Sequence, residues 1–153
     1  MKKILVSACL YGEGIVRYDA AQVQCDDPRF LKWKAEGRLI PVCPEVAGGL
    51  KVPRPPAQRR GEIIVTEDGT DVTDAYEKGA EAALRLAEEN EVAFAIMKEK
   101  SPSCGSSRIK DGTFTGKNIG GQGLTTEYLR QAGFIVLSEE ELPEAERLVD
   151  SLL

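Results

Sequence analysis

Cys9, Cys43 and Cys104 are the residues whose type and placement could carry chemistry in this chain. Thiolates are soft ligands that select iron-sulfur clusters, zinc or copper(I). A centre held by three sulfurs and no fourth protein ligand keeps one coordination position open, the arrangement of a catalytic metal site. Spacing does not choose between iron and zinc, and no CxxC pair marks a thiol redox enzyme. The fourth cysteine, Cys25, lies among Gln24, Asp26 and Asp27, unlike the other three. It reads as a partly buried loop thiol. The chain has no histidine, which removes the usual general base and the usual nitrogen ligand of zinc. Acid-base work falls to carboxylate, Ser, Tyr or Lys.

For the three sulfurs to meet, neighbouring strands must deliver them. Residues 3–8 form a nearly continuous apolar run, the pattern of a strand buried on both faces. Residues 39–42 and 92–97 read as further strands. Cys9 and Cys43 directly follow the first two, and Cys104 stands in the Ser101-Pro102-Ser103-Cys104-Gly105 turn after the third. Strands about 4.8 Å apart place thiols at their ends within reach of one point. Pro41 and Pro44 fix the chain around Cys43, and Gly105 frees backbone N–H groups to approach cluster sulfurs.

Helices are expected over 28–36, 74–90, 125–131 and 140–153, with a last strand over 134–137. In the second helix Tyr76, Ala80, Ala83, Leu84 and Ala87 recur every three or four residues, with Thr73 or Asp74 as its cap. Residues 62–66 and 71–73, joined through an Asp-Gly turn, predict a small peripheral β-hairpin. Strands alternating with helices imply an α/β fold: a three-layer, Rossmann-like, mostly parallel sheet with helices on both faces. Three long connections, 9–27, 43–61 and 98–123, follow core strands, where ligands of open α/β folds bind.

The 153 residues suit a single domain, 1–153, since a globule of this size buries roughly 70% of its unfolded surface. Hydrophobic residues at 42% and charged residues at 29% are those of an ordinary globular chain. No apolar run approaches the roughly 18 residues of a membrane span, so the expected compartment is the cytoplasm. A net charge of -5 opposes broad electrostatic binding to nucleic acid. Against that background the segment carrying Lys51, Arg54, Arg59 and Arg60 is basic and suits a phosphate.

The chain resembles the thiouracil desulfidase family nearly end to end. The resemblance rests on Cys9-Leu10-Tyr11-Gly12 with Val16-Arg17-Tyr18-Asp19, and on Pro41-Val42-Cys43-Pro44-Glu45 with Gly48-Gly49-Leu50 and Pro53-Arg54-Pro55-Pro56. A third block is Lys98-Glu99-Lys100-Ser101-Pro102-Ser103-Cys104-Gly105 with Asp111-Gly112-Thr113-Phe114. Tyr11 and Gln58 depart from the family pattern, which has leucine and glutamate there.

The resemblance implies a [4Fe-4S] cluster held by Cys9, Cys43 and Cys104, its fourth iron free for the sulfur of a thiolated uracil. It puts Glu45 and Ser101 in the acid-base and substrate-contacting positions; Ser103, Tyr18, Arg54 and Lys98 are further residues expected to bind the substrate. The expected reaction is a hydrolytic desulfuration without net redox change, with Glu45 deprotonating the attacking water. The basic segment favours a nucleotide such as 4-thiouridine monophosphate over the free base. Neither tRNA nor an obligate protein partner is expected. The rival is a zinc-stabilised nucleotide-binding module without catalysis, in which Cys25 closes a four-thiolate tetrahedron.

Overall fold

The computed structural model describes residues 1–12 and 24–152. The chain opens with β1 (Ile4–Ser7), α1 (Ala8–Tyr11), α2 (Pro28–Ala35), β2 (Leu39–Val42) and α3 (Pro44–Ala47). It continues through β3 (Ala57–Arg60), β4 (Ile63–Thr66), α4 (Thr73–Glu89) and β5 (Phe94–Met97). It closes with β6 (Arg108–Lys110), β7 (Asn118–Gly120), α5 (Leu124–Gln131), β8 (Val136–Ser138) and α6 (Leu142–Ser151).

Strands β2, β1, β5 and β8 lie side by side in that order, all parallel. Ile4 pairs with both Leu39 and Phe94, so β1 is flanked by the two strands that lead to the other cysteines. Side chains alternate across the pleat and give the sheet two buried faces. On one, Ile4, Val6, Phe94 and Ile96 meet Phe30 and Trp33 of α2 and Leu142, Ala145 and Val149 of α6. On the other, Leu5, Ala95 and Met97 meet Ala87 of α4 and Leu129 of α5. This is the expected three-layer α/β arrangement.

The hairpin differs from expectation. β4 pairs antiparallel with the upstream β3, Ala57 opposite Thr66, and Asp71 makes only an isolated bridge to Val65. The Asp-Gly turn is real, with Gly69 at φ 88°, but Thr66 and Asp68 spend their side chains on Thr70 and hold it as a local loop. A second hairpin, β6–β7, has Ile109 opposite Ile119. The N-cap of α4 is Val72, without a side-chain cap; Thr73 Oγ1 accepts instead from Ile64 N at 2.9 Å, tying the helix to β4. Among the described residues no helix is long and apolar enough to cross a membrane.

Candidate active site

The carboxyl ends of β1, β2 and β5 open on a cavity of about 390 Å³ lined by Cys9, Cys43 and Cys104 together with Glu45, Arg54, Lys98 and Ser101. Cys9 lies in the one-turn helix α1, which Gly12 closes at φ 84°. Cys43 is the residue before α3, and Pro44 begins that helix, where its missing N–H costs nothing.

Cys104 is fixed by a polar network. The Ser101 hydroxyl oxygen accepts from the N–H groups of Ser103 (3.1 Å) and Cys104 (3.0 Å), and Gly105 N donates to Ser101 O (2.9 Å). The N-terminus of α5 completes the turn: Gly123, Leu124 and Thr125 donate from their backbones to the carbonyls of Gly105, Pro102 and Ser103. Those N–H groups have no partner inside their own helix, so the cysteine turn satisfies them. Thr126 Oγ1 adds a bond to Cys104 O at 2.9 Å. Beneath lies Glu99, 3% exposed. One of its oxygens accepts from the N–H groups of Ser106, Ser107 and Arg108, the other from the hydroxyls of Ser106 and Ser107. Burial pushes the Glu99 carboxyl up, but these donors outweigh it and hold the group at about 2.

Cys43 and Glu45 are fixed by close packing. A Cβ on Gly79 would sit 1.9 Å from Pro44 O, and one on Gly48 would sit 1.9 Å from Ala75 O. Only glycine at these positions lets α3 rest directly on α4. The approach brings Glu45 to Tyr76, whose hydroxyl donates to Glu45 Oε2. Arg54 Nη2 lies 3.4 Å from the same oxygen.

The sequence profile described as 2-thiouracil desulfurase matches residues 4–141. This chain belongs to the 2-thiouracil desulfurase family. It is 42% identical over 149 residues to a Bacillus subtilis (strain 168) protein described as uncharacterized protein YbbK, covering 91% of this chain and 97% of that one. It is also similar to a solved structure described as a [4Fe-4S]-dependent thiouracil desulfidase, TudS. The identity is 49%, all of both chains is covered, and the TM-score is 0.94.

The donor set of this desulfurase-family chain fits a cluster. Among the described residues no group of three His, Cys, Asp or Glu side chains is placed to hold a single metal ion, yet three thiols line one cavity. Three soft sulfur donors on one cavity match the ligand chemistry of an iron-sulfur cluster. Burial pushes the Cys9 thiol up to about 11, with Cys43 beside it adding to the effect. Burial likewise raises Cys43 and Cys104. Thiols in such surroundings become thiolates when a cationic centre compensates the charge. Cys25 lines a separate cavity with Leu10 and Glu139, and its backbone N–H is spent on Leu10 O at 2.9 Å. Cys25 thus lines a different cavity from the one shared by the other three cysteines.

Other expected site residues divide. Glu45, Arg54, Lys98 and Ser101 line the cavity, with Lys98 Nζ held by Glu139 at 2.6 Å. Ser103 does not: it is fully buried, and its hydroxyl pairs with Thr125 Oγ1 at 2.7 Å because the turn points it toward α5. Tyr18 lies outside the described residues. The Gly105 N–H closes the turn rather than facing a sulfur, and the glycine is needed because a Cβ would come 2.7 Å from Arg108 O. Of the basic segment, Arg59 is spent on Gly61 O, Gln122 O and Glu127, and Arg60 on Gly112 O. Lys100 and Lys110 line the cavity in their place. Sequence reading passes over these two lysines, Tyr76 and Glu99, although Lys100 and Glu99 stand beside the Ser101–Cys104 motif.

Proposed function

We propose that this chain is a [4Fe-4S]-dependent desulfidase that removes sulfur from a thiolated uracil, alone or as its nucleotide, with water as co-reactant. The observation that carries the reading is the convergence of Cys9, Cys43 and Cys104 on one cavity with Glu45 and Ser101. Cys9, Cys43 and Cys104 would hold the cluster, which supplies a Lewis-acidic iron for the thiocarbonyl sulfur. Glu45 takes a proton from the water that attacks the ring carbon, a contribution of about 10² to 10⁴ in rate. The carbon gains oxygen, the sulfur leaves as hydrogen sulfide, and no electrons change hands overall. Ser101, whose oxygen already accepts two N–H groups, has its own proton free to donate toward the substrate.

Arg54, Lys98, Lys100 and Lys110 surround the same cavity and support a nucleotide with its phosphate at the rim. Tyr18 is a further expected substrate contact. The acidic net charge of -5 speaks against tRNA as the substrate. Residues 1–153 act as one domain without an obligate protein partner, in the cytoplasm, where thiols stay reduced.

Anaerobic reconstitution followed by iron and acid-labile sulfide analysis and a sulfide-release assay on 2-thiouracil, 4-thiouracil and 4-thiouridine monophosphate tests the reading. Brown protein that releases sulfide is expected, as is loss of turnover in Glu45→Gln with the cluster absorbance retained. Colourless protein holding one zinc and releasing no sulfide would refute it.

A further inference from the structure

This inference rests on the reading of Glu45 as the proton acceptor and concerns what aims its carboxylate. Tyr76 is 1% exposed, its ring packed in the apolar cluster of Ile64, Ala80 and Leu124. Its hydroxyl, the one polar end of the side chain, donates to Glu45 Oε2. Burial above all, and the carboxylate beside it, push the hydroxyl far above the ordinary phenol range, so it stays a donor.

Arg54 approaches that same oxygen, Nη2 to Oε2 at 3.4 Å, while its Nη1 donates to Lys51 O at 3.1 Å. Among the described residues no hydrogen bond reaches Glu45 Oε1. Both donors converge on one oxygen and leave the other to the cavity. A guanidinium facing a carboxylate alone favours a two-pronged pair that occupies both oxygens. The close approach of α3 to α4 at Gly48 and Gly79 brings the Tyr76 hydroxyl onto Oε2, where it opposes any swing of Glu45 toward that two-pronged geometry.

We propose that Tyr76 is a positioning residue for proton transfer: its hydroxyl anchors Glu45 Oε2, keeps Arg54 from closing a two-pronged pair, and leaves Oε1 to meet the reacting water. The ring serves packing, and the hydroxyl serves the reaction.

Tyr76→Phe keeps the ring and removes the hydroxyl. On 4-thiouracil its kcat is expected to fall by about tenfold or more, with KM within about twofold and iron and sulfide per chain unchanged. Its crystal structure should show both Glu45 oxygens on Arg54. In the double variant Tyr76→Phe/Arg54→Lys the fork cannot form, since lysine is a point charge, and kcat at saturating substrate should recover at least about fivefold. That recovery would not follow from a merely structural role. Unchanged kcat in Tyr76→Phe, a fall with Glu45 unmoved, or no recovery in the double variant each overturns the proposal. Glu45→Gln separates it from the reading beneath: a fully active Glu45→Gln enzyme defeats both. An inactive one beside a fully active Tyr76→Phe enzyme defeats the positioning role alone.

Discussion

Cys104 and Cys43 flank Cys9 on either side, and they are held by opposite means. The turn of Cys104 is a polar construction, in which a buried carboxylate and the N-terminus of α5 satisfy nearly every backbone group the turn exposes. The segment of Cys43 is a steric one, a single helical turn pressed against α4 through Gly48 and Gly79, with one carboxylate held by a phenol. A polar construction fixes a loop that has no periodic structure of its own, but it depends on a charge. A steric one is indifferent to charge and intolerant of a single methyl group.

Glu99→Ala should give the largest effect, because it takes the shared acceptor from the N–H groups of Ser106, Ser107 and Arg108 and the one buried carboxylate from beneath the turn. A loss of about 4 kcal/mol in urea unfolding is expected, together with failure to retain iron. Gly79→Ala comes next at about 3 kcal/mol, since the new Cβ must push α3 away from α4. Here the loss of turnover should exceed the loss of iron, because Glu45 moves with α3. Equal losses in both would show that the steric contact does not aim Glu45.

Acid should separate the two regions without mutation. The folded Glu99 carboxyl lies at about 2, below its ordinary 4.5. Its stabilisation is therefore complete above pH 4.5 and is lost as pH falls toward 2, amounting to about 2 kcal/mol by pH 3. Hydrogen exchange at pH 3 should open the amides of 99–108 before those of α3. Simultaneous opening would contradict the comparison. The smallest effect is one of selectivity: Lys100→Ala/Lys110→Ala should lower kcat/KM for 4-thiouridine monophosphate by about tenfold and leave 4-thiouracil within about twofold. Equal efficiency of the unmutated enzyme on both substrates would remove the phosphate from the reading.

The central sheet is legible because strands buried on both faces, such as Ile4–Ser7 and Phe94–Met97, are nearly continuous apolar runs. The three cysteines are legible because they follow those runs. β3 is not, since its sequence AQRR carries no strand propensity; Arg59 and Arg60 earn their places through bonds to distant carbonyls. α3 is too short for any periodicity to register. Ser101 and Ser103 look equivalent in sequence, yet the turn sends one hydroxyl to the cavity side and the other into α5. Tyr76 fits the apolar face of α4 by spacing, and only its contact with Glu45 reveals the hydroxyl's use. A lone glutamate between two lysines, as in Lys98-Glu99-Lys100, reads as solvated charge, whereas the folded chain buries it.

The order of the parallel sheet constrains how the enzyme is made. β1 is synthesised first but lies between β2 and β5, so Cys9 emerges from the ribosome long before the neighbours that complete its surroundings. The turn of Cys104 in turn needs α5, which follows it in the chain. The surroundings of all three cysteines are therefore complete only once translation has passed α5, and a fragment ending earlier lacks the contacts that shape the Cys104 turn.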